Sequence, residues 1–348
     1  MEFLRGKFHQ DISAEFEGNG DINIEGYTFS RESILEEMEP TGYEEAFNEW
    51  LERHQEEMLR KADQLLDLHD NRLRFNKLKE AYKNGALIPF VGAGMSKSSG
   101  YPGWTSFLWQ LRNETRVTQE ELKVLLDAGK YEEAVQRMAD DMPAGSFDET
   151  LENTFGHDLD LDGPIQLFPF LFEPCVITTN FDDVLKRCYE NADKPFRDVL
   201  LGVDSPDLPR YLGRKEKVLV KLHGKANSGR GRILTLKEYQ THYGVDASLT
   251  SRIEEVCEST LLFIGCSLSI DRTLMAMREL VATKGHESAV RHYAFLPLKI
   301  GEDRLARRDQ LAQANIFPIW YPDEEDHDEC IEALLHKLAD GVVDIYDH

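Results

Sequence analysis

The apolar run Leu87-Ile-Pro-Phe-Val91 ends directly on Gly92-Ala-Gly94-Met-Ser96. A strand that stays apolar through every position must be covered on both faces, and that is the habit of parallel sheets layered between helices. The pattern repeats along the chain. Short apolar runs at 176–178, 218–222, 233–236, 261–264 and 292–296 alternate with amphipathic stretches at helical spacing. This alternation predicts an α/β fold of Rossmann type, a parallel sheet with helices on both faces.

Ligands of such sheets sit beyond the carboxyl ends of the strands. Four chemically distinctive positions fall at those ends: Gly92, Asn180 in Thr178-Thr-Asn-Phe-Asp182, His223 in Lys221-Leu-His-Gly224, and Gly265 in Ile264-Gly-Cys-Ser267. At the first, three small residues, Gly92, Ala93 and Gly94, allow close approach of a pyrophosphate. A helix beginning there would present free N–H groups and a favourable dipole, with Ser96 in reach of the same anion. An Asn or a His after a strand is often only a turn or cap residue. Together, in one nucleotide pocket, they point to chemistry on the ribose.

The combination resembles the sirtuin family, in its divergent sirtuin-like branch, over about residues 80–300. The family's Gly-Ala-Gly-x-Ser loop matches Gly92, Ala93, Gly94 and Ser96. Its Thr-Gln-Asn-Ile-Asp motif becomes Thr178-Thr-Asn-Phe-Asp182, its His-Gly pair is His223-Gly224, and its Gly-x-Ser is Gly265-Cys-Ser267. Two features of the deacylating members are missing. Cys175, Cys188, Cys257, Cys266 and Cys330 have no zinc-knuckle spacing, so no structural zinc is expected. Gly100-Tyr-Pro-Gly-Trp-Thr105 keeps the Gly and Pro of the segment after the loop but lacks its acid and its Arg. Both losses look like the branch that hydrolyses NAD.

A net charge of −24 argues against nucleic-acid binding, which needs clustered Lys and Arg. No run approaches the roughly 18 apolar residues of a membrane helix, and Met1–Phe8 lacks an apolar signal core. Scattered cysteines, two of them in apolar strands, fit reduced thiols in a cytoplasm. The histidines form no ligand set.

Residues 1–83 read as an N-terminal extension and 84–348 as the NAD-binding catalytic domain. Asn19-Gly20 is a hairpin signal, and Ser30 a candidate N-cap of a helix ending before Pro40. From Tyr43 to Lys83 an apolar stripe with Trp50, Leu51, Leu65 and Leu66 predicts one or two helices. The stripe either packs on the core or makes an assembly surface. Further helices are expected at 104–112, 119–142, 147–172 with a break at Gly163-Pro164, and from Val184. The acidic run 323–329 reads as a solvated turn before a last helix at 332–338.

Nicotinamide leaves as a neutral pyridine through an oxocarbenium-like sugar. Asn180 could face that cation with its carbonyl while its NH2 binds a ribose hydroxyl. His223, with a reference pKa near 6.5, could take a proton. Asp182 is a candidate anchor for the nicotinamide amide or the pocket backbone, Gly265 and Ser267 for the adenosine side, and Asp271 for a ribose hydroxyl or a helix cap. The resemblance implies an NAD glycohydrolase that releases nicotinamide and ADP-ribose as an effector of bacterial antiphage defence. It further implies control through a homo-oligomer or a hexameric translocase-type ATPase. An NAD-dependent deacylase, an ADP-ribosyltransferase and a module that senses NAD or ADP-ribose are the competing readings.

Overall fold

The protein is seen in a computed structural model that describes residues 2–14, 22–24, 27–204, 208–229, 231–243, 248–269 and 272–341. Two short strands near the start, β1 (Ile22–Ile24) and β2 (Tyr27–Phe29), pair antiparallel. The strand pair thus lies just beyond the Asn19-Gly20 signal, which itself falls outside the described residues. Among those residues the main sheet has seven parallel strands: β3 (Leu87–Val91), β4 (Cys175–Thr178), β5 (Asp198–Leu201), β6 (Val218–Lys221), β7 (Thr260–Ile264), β8 (His292–Leu298) and β9 (Ile316–Pro322). Their order is β5-β6-β4-β3-β7-β8-β9. From β3 the chain passes to β4, out to β5 at the edge and back to β6, then resumes on the other side of β3 at β7, so the switch point of the sheet lies between β3 and β7.

Strands β3, β4 and β6 are buried at every position, which is why they read as continuous apolar runs. Alternation still sorts their side chains. Leu87 and Val91 join the apolar layer on one face, Ile88 and Phe90 the layer on the other. The first face is covered by helices that include Pro40–Leu66, Asn71–Lys83, Trp104–Arg112 and His327–Leu338. The second is covered by Ser248–Val256, Arg272–Lys284 and Arg304–Ala312.

The structure corrects several expectations. The 233–236 run is no strand. Ile233 N–H bonds the His223 carbonyl at 3.0 Å, and a capping box between Thr235 and Glu238 starts the helix Leu236–His242. Residues 119–142 form two helices, Gln119–Asp127 and Tyr131–Asp141, parted where Gly129 takes φ +71°. The helix within 147–172 is Ser146–Phe155, and a shorter turn pair follows Gly163. Strand β9 was unforeseen because Pro318 and Pro322 mark a run as non-strand; as the sheet's edge it tolerates both.

The stripe on Pro40–Leu66 is covered by the chain itself. Trp50, Leu51, Leu65 and Leu66 are buried in the same apolar cluster that holds Leu87 and Val91 of β3. Polar ties follow the same contact: His54 Nε2 to Glu332 at 2.7 Å, Lys61 to Glu329 at 3.1 Å and Lys337 to Asp63 at 2.8 Å. The acidic run is an exposed turn over 323–326, as expected, and its later residues are tied down. Asp326 caps the helix His327–Leu338, Asp328 accepts from Ser98, and Glu329 meets Lys61.

Candidate active site

The loop after β3 is held against the loop after β7. Gly92 N–H bonds the Ile264 carbonyl and Gly94 N–H the Gly265 carbonyl, each at 2.9 Å. A Cβ on Gly92 would stand 2.5 Å from the Gly265 carbonyl oxygen, and one on Gly94 would stand 2.8 Å from Gly265 Cα. The glycines therefore serve the meeting of two backbones at the switch point. The expected helix N-terminus is absent. Ala93–Ser96 is one 3-10 turn, the next α-helix starts at Trp104, and the N–H groups of Gly92, Gly94 and Met95 are already bonded to carbonyls.

Asn180 lies across this turn. Its Nδ2 donates to the Gly92 carbonyl and to Ser96 Oγ, both at 3.1 Å. Its backbone N–H bonds Thr178 Oγ1, which in turn donates to the Val91 carbonyl. Both amide hydrogens are thus used inside the protein, and the ribose-binding role assigned to the NH2 is not available in this arrangement. The carbonyl oxygen makes no hydrogen bond among the described residues and is the part left for a ligand.

Asp182 is buried; its carboxylate accepts from the Val184 N–H at 3.1 Å and from Ser96. Burial pushes its pKa above the usual carboxylate value, with Lys221 opposing the rise. Those internal partners make it an anchor of the loop itself. Lys221, the last residue of β6, has a side chain only 1% exposed. Its Nζ donates to the Phe181 carbonyl (3.1 Å), the Asp182 carbonyl (2.6 Å) and Asp183 Oδ1 (2.8 Å). Three acceptors around one nitrogen call for the ammonium form. Burial draws the Lys221 pKa down while Asp183 and Asp182 draw it up.

His223 follows two residues later, and Ala226 N–H bonds the Phe181 carbonyl at 3.4 Å, tying the two loops together. The imidazole is buried, with Nε2 2.8 Å from Tyr243 Oη and Nδ1 3.4 Å from Tyr239 Oη. Burial takes its pKa down to about 4, so it is neutral across the physiological range. Gly265 closes on Met95, whose side chain a Cβ there would strike at 2.7 Å. Ser267 is more peripheral: its Oγ faces Ser269 Oγ at 3.1 Å and its carbonyl is held by Arg307 at 2.6 Å. Asp271 lies outside the described residues.

Sequence reasoning passed over Lys221, Tyr239 and Tyr243. Lys221 read only as the end of an apolar strand. The i, i+4 spacing of the two tyrosines, falling after the His-Gly turn, was the available signal. Among the described residues no group of three or more His, Cys, Asp or Glu could hold a metal ion, and no helix is long and apolar enough to cross a membrane.

Residues 174–319, which carry Asn180, His223 and Gly265, match the SIR2-like domain family. The chain is 21% identical to NAD(+) hydrolase ThsA of Enterococcus faecium over 218 residues, 60% of this chain and 43% of that protein. It is 21% identical to NAD(+) hydrolase ThsA of Cytobacillus dafuensis over 289 residues, 75% of this chain and 55% of that one. With Defense-associated sirtuin 2 of Bacillus subtilis it shares 27% over 221 residues, 61% of this chain and 21% of that protein. The chain thus spans about half or less of the curated relatives it matches. Its parallel sheet is of Rossmann type, and residues 174–319 are similar to a SIR2-like domain.

Proposed function

We propose that this chain cleaves the nicotinamide–ribose bond of NAD with water. The observation that carries the reading is the convergence of the Asn180 amide, Ser96 and the Gly92 loop at the β3/β7 switch point, with His223 at the end of the next strand but one. The step balances as NAD+ plus water giving nicotinamide, ADP-ribose and one proton. The bond from C1′ to the pyridinium nitrogen breaks, and the electron pair stays with nicotinamide. Water supplies the new C1′–O bond. The Asn180 carbonyl faces the developing positive charge or orients the water, and neutral His223 accepts the proton. A base of pKa about 4 is weak, which suits a reaction whose leaving group needs no push.

Relatives named for NAD hydrolysis and for defence support an effector that depletes NAD during phage infection. Such an activity acts inside the cell and needs restraint. As part of this reading we place control with a homo-oligomer or a hexameric translocase-type ATPase partner. The test is purified full-length protein incubated with NAD, alone and with that partner, with nicotinamide and ADP-ribose resolved by chromatography. Release is expected, and Asn180→Ala and His223→Ala should each lower it at least about a hundredfold while melting like the parent. Folded protein that releases no nicotinamide under either condition, or variants that keep the parent rate, would defeat the reading.

A further inference from the structure

His223 is gripped from both sides by one short helix and its cap. Tyr239 and Tyr243 stand one helical turn apart, at the end of Leu236–His242 and just past it, and both rings meet the imidazole edge-on, with centroids 5.4 and 6.0 Å away. The two contacts are unequal: 2.8 Å at Nε2 from Tyr243, and 3.4 Å at Nδ1 from Tyr239. A neutral imidazole has one N–H and one lone pair, and the partner on one nitrogen decides which the other carries. Tyr243 has somewhere to send its own proton, since its hydroxyl also lies 3.4 Å from Thr273 Oγ1. It can therefore accept from Nε2–H while donating onward.

Resting on the NAD-cleavage reading, we propose that Tyr243 is a positioning residue that fixes His223 as the Nε2–H tautomer, leaving the Nδ1 lone pair to receive the substrate proton. The Nδ1 side of the ring, where Tyr239 Oη stands 3.4 Å away, is the side from which a ribose hydroxyl or the attacking water approaches. When Nδ1 accepts that proton, the imidazolium keeps its Nε2–H bond to Tyr243 and later loses the Nδ1 proton to solvent. The oriented-base logic is that of a triad, with a phenol in place of the usual carboxylate. Among the described residues no carboxylate lifts the basicity of the ring, in keeping with a pKa lowered by burial.

The experiment is nitrogen-15 NMR of the imidazole in the full chain, assigned by comparison with His223→Gln, alongside NAD kinetics. The parent is expected to show a protonated Nε2 and a bare Nδ1. Tyr243→Phe should give mixed or reversed tautomers and lower kcat about tenfold or more, with KM within about threefold. Tyr239→Phe should keep the parent tautomer. A parent Nδ1–H tautomer, or a Tyr243→Phe protein with unchanged tautomer and rate, would overturn the proposal. If the expected tautomers are seen but the parent releases no nicotinamide, the positioning stands and only the NAD reading falls.

Discussion

Replacing Lys221 with Met tests what shapes the loop that carries Asn180. Residues 179–183 have no helix or strand to hold them, and the ammonium of Lys221 satisfies three of their acceptors. Met fills a similar volume and offers no donor. The Asp182 carbonyl would be left unpaired in the interior, at about 1–3 kcal/mol, and the Phe181 carbonyl would keep only its 3.4 Å bond from the Ala226 N–H, at roughly 1 kcal/mol. The Asp183 carboxylate is 35% exposed and can turn to water, so it adds little. Burying the apolar Met side chain returns roughly 1 kcal/mol. The net loss is then about 1–3 kcal/mol, and the melting temperature should fall by roughly 2–10 °C. Asn180 shares that loop, so NAD turnover should fall more than about tenfold in protein still folded at the assay temperature. Lys221→Gln keeps two donors on a shorter stem and should lie between Met and the parent. The measurement is thermal and denaturant unfolding followed by circular dichroism, paired with nicotinamide release. A Met variant within about 1 kcal/mol of the parent and equally active would show that the loop keeps its shape without the charge.

Other outcomes follow from the same physics. Gly92→Ala would set a Cβ 2.5 Å from the Gly265 carbonyl and 2.8 Å from Cys266 Cα, both backbone atoms, so marked destabilisation is expected; Gly213→Ala, with nothing within 4 Å, should melt like the parent or higher. Parent-like melting of Gly92→Ala would refute the close approach. Burial alone would push the Glu332 carboxyl up, but the His336 and His54 rings and the Lys7 charge outweigh it and hold the carboxyl well below its ordinary 4.5. Its stabilising effect is therefore complete above that value and drains away as the pH falls below it, and Glu332→Gln should flatten the acid side of a stability–pH curve. An equally steep acid loss in the Gln variant would assign it to other groups. Elemental analysis after dialysis against a mild chelator should find no stoichiometric zinc; one zinc per chain would reopen the deacylase reading.

The sheet was legible because β3, β4, β6 and β7 are apolar runs that end on chemically distinctive residues, and burial on both faces is what makes them so. The edge strands were not. Strand β5 is only half-buried throughout, and β9 carries prolines that an edge accepts. At the site, the positions of Asn180 and His223 could be read from their places after strands, but their environments could not. The side chains that set those environments, Lys221 from below and Tyr239 and Tyr243 from a later helix, come together only through tertiary folding. The glycine loop shows the converse: the residue types were legible, but the reason for them is the backbone of Gly265, not a helix N-terminus.

The apolar stripe in the first 80 residues was read either as packing on the core or as an assembly surface, and its place in the fold favours the first. Phe47, Trp50, Leu51, Leu65, Leu66, Phe75 and Leu78 belong to the same buried cluster as Leu87 and Val91 of β3 and Leu334 and Leu338 of the last helix. Removing residues 1–80 would uncover that face of the last helix. It would also take His54 and Lys7 away from the buried Glu332 carboxylate, and Asn71 from the Trp320 backbone that its amide bridges at 2.7 and 2.9 Å. The apolar surface uncovered on the last helix and the sheet is a large part of what holds a domain whose net stability is about 5–15 kcal/mol. The expected outcome is that residues 81–348 alone lack a cooperative melt and release no nicotinamide. A folded 81–348 fragment that cleaves NAD at the parent rate would refute this. Because the apolar stripe is already covered within one chain, the proposed homo-oligomer no longer follows from it. Assembly then has to be read from the solution mass of the full chain, and not from what a truncation leaves behind.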